Sequence, residues 1–163
     1  MLIASGTWIY FVVAAMLIAS IILLRSLYAS SRLPYRRQEQ LLTNAESRFY
    51  RALAQAVEDR LTIFAKVRIA DLLVVDSGNG TGRGWFNRIS NKHVDFVLCD
   101  PDSLQVVTAI ELDDASHDRS DRVERDEFVD AAFRSAGLPL LRIPAQAKYN
   151  VGELRAKLER VNR

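Results

Sequence analysis

None of the first 24 residues carries a charge, and a stretch of that length and composition has few ways to fold. The run passes from Met1 through Trp8-Ile9-Tyr10-Phe11 to Leu23-Leu24. As a helix it is long enough to cross a hydrocarbon core of ~30 Å. Trp8, Tyr10 and Phe11 near one end, and Tyr28 just past the other, suit interfacial positions. A cleaved signal peptide would need a basic leading region and a shorter apolar core, and neither is present. A helix apolar all round is also hard to bury inside a small domain. The sequence therefore predicts one membrane-spanning helix over 1–25. No Lys or Arg precedes it and arginines follow. The positive-inside rule then puts the N-terminus outside and the C-terminal part in the cytoplasm, as a single-pass protein of the inner cell membrane.

Residues 26–42 read as a basic juxtamembrane linker. Counted from Arg25, this part has Arg25, Arg32, Arg36 and Arg37 against Glu39, a net +3. The arginines serve as a topology signal or touch anionic head groups, and Pro34 interrupts any helix continuing from the membrane. The whole chain is +2, so residues 43–163 carry −1. A folded part with that balance is not a nucleic-acid binder driven by overall charge, and any basic binding surface must be local. The one cysteine, Cys99, has no internal disulfide partner and reads as a small core residue on a strand.

The folded part, 43–163, opens on Thr43-Asn44-Ala45-Glu46, which has capping-box spacing. A helix to about Asp59 should follow, with Ala45, Phe49, Ala52, Leu53 and Ala56 on one face. Glu46 either closes the box or projects towards the acidic cluster described below. A strand is expected around Ile63–Arg68, then a short helix or second strand over Ala70–Val75. Residues 76–91, punctuated by Gly78, Gly80, Gly82 and Gly84, read as a loop. They lack the Gly-Lys-Ser/Thr ending of a phosphate-binding loop. Arg83, Trp85, Phe86, Arg88, Lys92 and His93 mix cations with aromatics, a mixture that can contact nucleic acid or anchor the loop on the core.

His93–Asp100 and Val106–Asp113 are strands joined by the turn Pro101-Asp102-Ser103-Leu104. In the first, alternation puts Val94, Phe96 and Leu98 on one face, and Asp95, Val97 and Cys99 on the other. A helix from an Asp121 cap with Glu124 at its third position should run to Ala136, packing Val129, Ala132, Phe133 and Ala136 inward. Gly137 and Pro139 stop it. A short strand over Leu138–Ile143 holds Arg142. The last helix, Val151–Arg163, packs Val151, Leu154, Leu158 and Val161, leaving Arg155, Lys157, Arg160 and Arg163 on a solvated face.

The second strand of the hairpin ends unusually. Glu111, Asp113, Asp114 and His117 fall within seven residues. Residues two apart on a strand share a face, so Glu111 and Asp113 point the same way, and hairpin pairing can bring Asp95 beside Glu111. Three carboxylates together repel unless a divalent cation or an arginine cluster compensates. Hard oxygen ligands suit magnesium or manganese.

Val94-Asp95-Phe96-Val97, Ile110-Glu111-Leu112-Asp113, His117, Arg125-Asp126 and Gly137-Leu138-Pro139-Leu140-Leu141-Arg142 together, over roughly 41–145, resemble the bacterial family called domain of unknown function 2726. That family is similar to the very-short-patch-repair endonucleases of the PD-(D/E)XK superfamily. The resemblance implies an α/β, restriction-endonuclease-like fold, a central mixed sheet flanked by helices, here preceded by one transmembrane helix. It implies Asp95 and Glu111 as paired metal ligands and Glu46 as the acid of the first helix. Asp113 stands where the superfamily commonly has lysine, and would be an extra metal ligand in the manner of the patch-repair branch. His117 would be general base or leaving-group acid. Arg125 and Arg142 would neutralise phosphate or pair with acidic neighbours, with Arg83, Arg88 and Lys92 as weaker contacts to DNA or RNA.

Three functions follow from these readings. One is a membrane-anchored, magnesium- or manganese-dependent nuclease. Another is a nuclease fold that does not cut and binds or scaffolds partners, nucleic acid or protein, at the membrane. The third is an ion network of Glu111, Asp113, Asp114 and His117 with Arg122, Arg125 and Arg142.

Overall fold

The computed structural model describes residues 6–29, 33–76, 82–113 and 120–161. The chain divides into two compact units, 1–41 and 42–163. In the first, α1 (Thr7–Ala29) carries the apolar run. Its span Thr7–Tyr28 is long and apolar enough to cross a membrane, and none of it is buried within the protein.

The second unit is a four-stranded sheet between two helical layers. Its elements are α2 (Asn44–Val57), β1 (Thr62–Arg68), α3 (Ile69–Leu72), α4 (Gly82–Ile89), β2 (His93–Cys99), β3 (Val106–Asp113), α5 (Ser120–Ser135), β4 (Leu140–Pro144) and α6 (Val151–Val161). The strands lie in the order β1-β2-β3-β4, with β1–β2 and β2–β3 antiparallel and β3–β4 parallel. Phe49, Leu53, Ala56 and Val57 of α2 join Leu154 and Leu158 of α6 against Phe96, Leu98, Ile110 and Ile143 on one face of the sheet. Ile69, Leu73, Ile89, Val129 and Phe133 cover the other face against Val94, Val97, Cys99 and Ala109.

Local chemistry explains three of the helix boundaries. The Thr43 hydroxyl accepts from the Glu46 N–H at 3.3 Å, and the Thr43 N–H donates to Glu46 Oε2 at 2.8 Å, so the capping box is closed. Gly137, at φ +67°, provides the left-handed stop of α5, with the Leu138 N–H reaching back to the Phe133 carbonyl. Asn150 caps α6 by accepting from the Gly152 and Glu153 N–H groups.

Four expectations change. Residues 82–89 form a helix rather than part of a loop. Its glycines sit in the first turn, where helix entropy costs least, and Ile89 is buried below α5. Trp85 stacks on Phe128 at 6.4 Å, which fastens α4 to α5. Ala136 is exposed beyond the end of α5 rather than packed inward. Arg155 is not merely solvated: it donates to the Ala56 and Gln55 carbonyls and pairs with Glu58, satisfying acceptors left open at the end of α2.

The fourth change bears on function. Val94 does not share a face with Phe96 and Leu98; it packs in the opposite cluster with Val97 and Cys99. Across the ladder, Ala65 and Val67 part in the same way. Between them, Lys66 has φ +56°, left-handed geometry for a residue with a side chain. Alternation therefore breaks where Lys66 faces Asp95, between the pairs Ala65↔Phe96 and Val67↔Val94. Lys66→Gly is expected to be more stable than Lys66→Ala by about 1 kcal/mol, because only the glycine takes this backbone without a Cβ penalty. Chemical denaturation of the two variants measures the difference.

Candidate functional site

The break in alternation puts a lysine among acids. Lys66 Nζ lies 2.5 Å from Glu46 Oε1 and 3.1 Å from Asp95 Oδ1. Asp95 Oδ2 accepts the Leu112 N–H at 2.9 Å, which ties β2 to β3 immediately beside Glu111. Glu46 performs both roles left open by the sequence: one oxygen closes the capping box and the other receives Lys66. Burial works to raise the Glu46 carboxyl, but the Lys66 ammonium and the Thr43 N–H outweigh it and hold it below its ordinary value. The same contacts, through Glu46 and Asp95, overcome burial at Lys66 and raise its ammonium.

A second cation stands on the far side of Glu111. Parallel pairing puts Arg142 of β4 opposite Glu111 of β3. Arg142 contacts Glu111 at 3.5 Å, Asp113 at 3.0 Å, Asp130 at 3.0 Å and Asp126 at 3.9 Å. Its Nη2 is buried with no hydrogen-bond partner among the described residues. Burial raises the Glu111 carboxyl; Arg142 opposes the shift, and the charges of Asp95, Asp126 and Asp113 add to it.

These two acids should respond oppositely to pH. A carboxyl raised in the folded state binds protons more tightly there, so its contribution to stability falls as pH rises through the window above its ordinary value. A lowered carboxyl stabilises above its ordinary value, and that contribution is lost as pH falls through the folded value. Glu111→Gln is therefore expected to melt above wild type at neutral pH, with the gain vanishing in acid. Glu46→Gln should be destabilised at neutral pH by about 1–3 kcal/mol, since it leaves a charged lysine short of a partner. Thermal melts from pH 3 to 8 check both signs.

Lys66, Lys92, His93, Asp95, Glu111 and Asp126 line one open cleft of about 470 Å³. Of the residues singled out from sequence, Asp95, Glu111, Glu46 and Arg142 come together at or beside it. Asp113 is turned to Arg142 and is about half exposed. Lys92 reaches the cleft, but Arg83 and Arg88 do not line it. The Arg88 guanidinium lies 3.6 Å from the Phe128 ring centroid and 5.3 Å from that of Trp85. His117 and Asp114 lie outside the described residues, as does the Arg125 side chain.

Lys66, Asp126 and Asp130 were not singled out as site residues by sequence reasoning. Lys66 had one signal: a cation inside the apolar run Ile63-Phe64-Ala65-Lys66-Val67, where a charge that is partly withdrawn from water calls for a partner.

The carboxylates touching Lys66 and Arg142 number six against those two cations. No group of three His, Cys, Asp or Glu among the described residues is arranged to hold a metal ion. The donor set still fits a weaker arrangement. Asp95 and Glu111 are hard oxygen donors on neighbouring strands of one cleft with surplus negative charge. Magnesium is commonly held by one or two carboxylates, with water and substrate phosphate completing its shell.

The sheet, its two helical layers and the acid-lined cleft beside Lys66 and Arg142 define a mixed α/β domain, in a chain that also carries a helix able to span a membrane. The chain belongs to the family described as protein of unknown function (DUF2726), whose model matches residues 38–161. Neither the curated proteins nor the solved structures give a match.

Proposed function

We propose that this protein is a membrane-anchored nuclease of the PD-(D/E)XK type that hydrolyses phosphodiester bonds with magnesium or manganese. The observation that carries the reading is the placement of Asp95 and Glu111, on adjacent strands, in one cleft that also holds Lys66. The order α2-β1-β2-β3-α5-β4, with α3 and α4 placed between β1 and β2, supports a restriction-endonuclease-like fold. Asp95 and Glu111 would hold the cation, which when bound polarises phosphate and activates water. Lys66 supplies from β1 the positive charge missing at Asp113, and Glu46 fixes its ammonium. Arg142 keeps Glu111 from rising further and thereby favours its ionised, ligating form. His117 is the candidate for proton transfer. Helix α1 anchors the domain to the inner membrane with the cleft on the cytoplasmic side, which restricts substrates to nucleic acid near that surface.

Incubating the full chain in detergent with labelled single- and double-stranded DNA and RNA tests this. Cleavage should require magnesium or manganese and disappear on chelation. Cleavage that survives Glu111→Ala would rule out the assignment. A second reading, a fold that binds nucleic acid or protein partners without cutting, draws on Lys66 and Arg142 already engaging the acids. Metal-independent binding with no cleavage of any substrate would favour it.

A further inference from the structure

We propose that Lys66 is the resident counter-ion of the cleft, and that a divalent cation arriving at Asp95 displaces its ammonium. The inference rests on the metal-site reading above and concerns how that site is controlled.

Asp95 has two oxygens and each is engaged. Oδ2 accepts the Leu112 N–H, a backbone donor held by the sheet, and Oδ1 takes Lys66 Nζ at 3.1 Å. The partner able to leave is the lysine, since moving the Leu112 amide means moving β3. A divalent cation on Asp95 also repels an ammonium at hydrogen-bond distance from the same carboxylate.

The displaced ammonium keeps a holder. Glu46 Oε1 contacts Nζ, and Glu46 is itself fixed by the Thr43 N–H on Oε2. Lys66 therefore pivots about Glu46 and remains at the cleft. Its side chain is one-third exposed and shares the cleft wall with Asp95 and Glu111, which gives it room to turn. The left-handed backbone at Lys66 is the feature that commits this side chain to the site, and such geometry persists only where surrounding contacts enforce it. Without a metal the lysine neutralises the acids. With one, it is freed to meet a phosphate oxygen of the substrate, so metal loading and phosphate recognition become one event.

Lysine acetylation of the full chain in detergent, read by mass spectrometry with and without manganese, tests this. Lys148 and Lys157, both exposed, serve as internal references. Lys66 labelling should rise relative to them when manganese saturates the protein. In calorimetry, Lys66→Met should bind manganese about tenfold more tightly than wild type, because the competitor is gone. Manganese binding with unchanged Lys66 labelling would overturn displacement and leave the metal site standing. Binding in Lys66→Met alone would support the lysine as competitor. No binding in either protein, even with a non-cleavable phosphorothioate oligonucleotide present to complete the metal shell, would remove the metal-site reading and this inference with it.

Discussion

Arg142→Met is expected to destabilise the domain by about 3 kcal/mol at neutral pH. The substitution nearly conserves length and apolar bulk but leaves Glu111, Asp113, Asp126 and Asp130 without the cation they share. Breaking a buried ion pair by removing one partner costs about 3–5 kcal/mol. Asp113, Asp126 and Asp130 are 47%, 42% and 39% exposed, so solvent screens part of the repulsion and the lower end applies. For a domain of this size that corresponds to roughly 10 °C in melting temperature. The deficit should shrink on acidification, as the abandoned carboxylates take up protons. Arg142→Lys should recover only part, because one ammonium cannot reproduce a fork that donates to Asp130 through Nε and to Asp113 through Nη1. A melting curve within a degree of wild type would mean that the arginine is not what holds these acids together.

The largest effect on activity is expected at Asp95. Asp95→Asn keeps an oxygen for the Leu112 N–H and changes little in shape, yet removes the negative charge. Losing several kcal/mol of metal-dependent charge stabilisation lowers the cleavage rate about a thousandfold. Glu111→Gln should lose activity to a similar degree while gaining stability at neutral pH. That pairing of lower activity with higher stability separates a functional acid from a structural one. Asp113→Asn should cost much less activity, since Asp113 points to Arg142 and its pairing is half solvated. Equal losses at Asp95 and Asp113 would instead favour three protein ligands. Rates measured at saturating manganese, with a melt of each variant alongside, separate loss of chemistry from loss of fold.

The parts of this protein that were legible in its sequence are those set by short-range rules. Thr43 and Glu46 announce a helix start because a capping box needs only four consecutive residues. The hairpin of β2 and β3 shows in its apolar residues and in the turn at Pro101-Asp102. Asp95 and Glu111 could be brought together because register in an antiparallel pair follows from the turn.

What escaped depends on distant partners. Lys66 reads as an interruption in a strand, since Glu46 and Asp95 are 20 and 29 residues away. Its left-handed backbone lies across the ladder from the point where Val94 leaves the face of Phe96 and Leu98, and no short-range pattern announces it. Helix α4 was hidden by Gly82 and Gly84, because its stability comes from aromatic packing on α5 rather than from propensity. Arg142 was visible as a cation on a strand, but its choice among four acids is fixed by the parallel β3–β4 register and by α5. Parallel pairing across an intervening helix leaves no turn to read.

Manganese binding to the full chain in detergent, compared with Asp95→Asn, bears most directly on the central claim. A non-cleavable phosphorothioate oligonucleotide should be present, so that phosphate can complete the metal shell. The account predicts stoichiometric binding by wild type, lost or strongly weakened in Asp95→Asn while the melting curve stays cooperative. Equal binding by the two proteins, or none by wild type with the oligonucleotide bound, would contradict a metal site at Asp95 and Glu111.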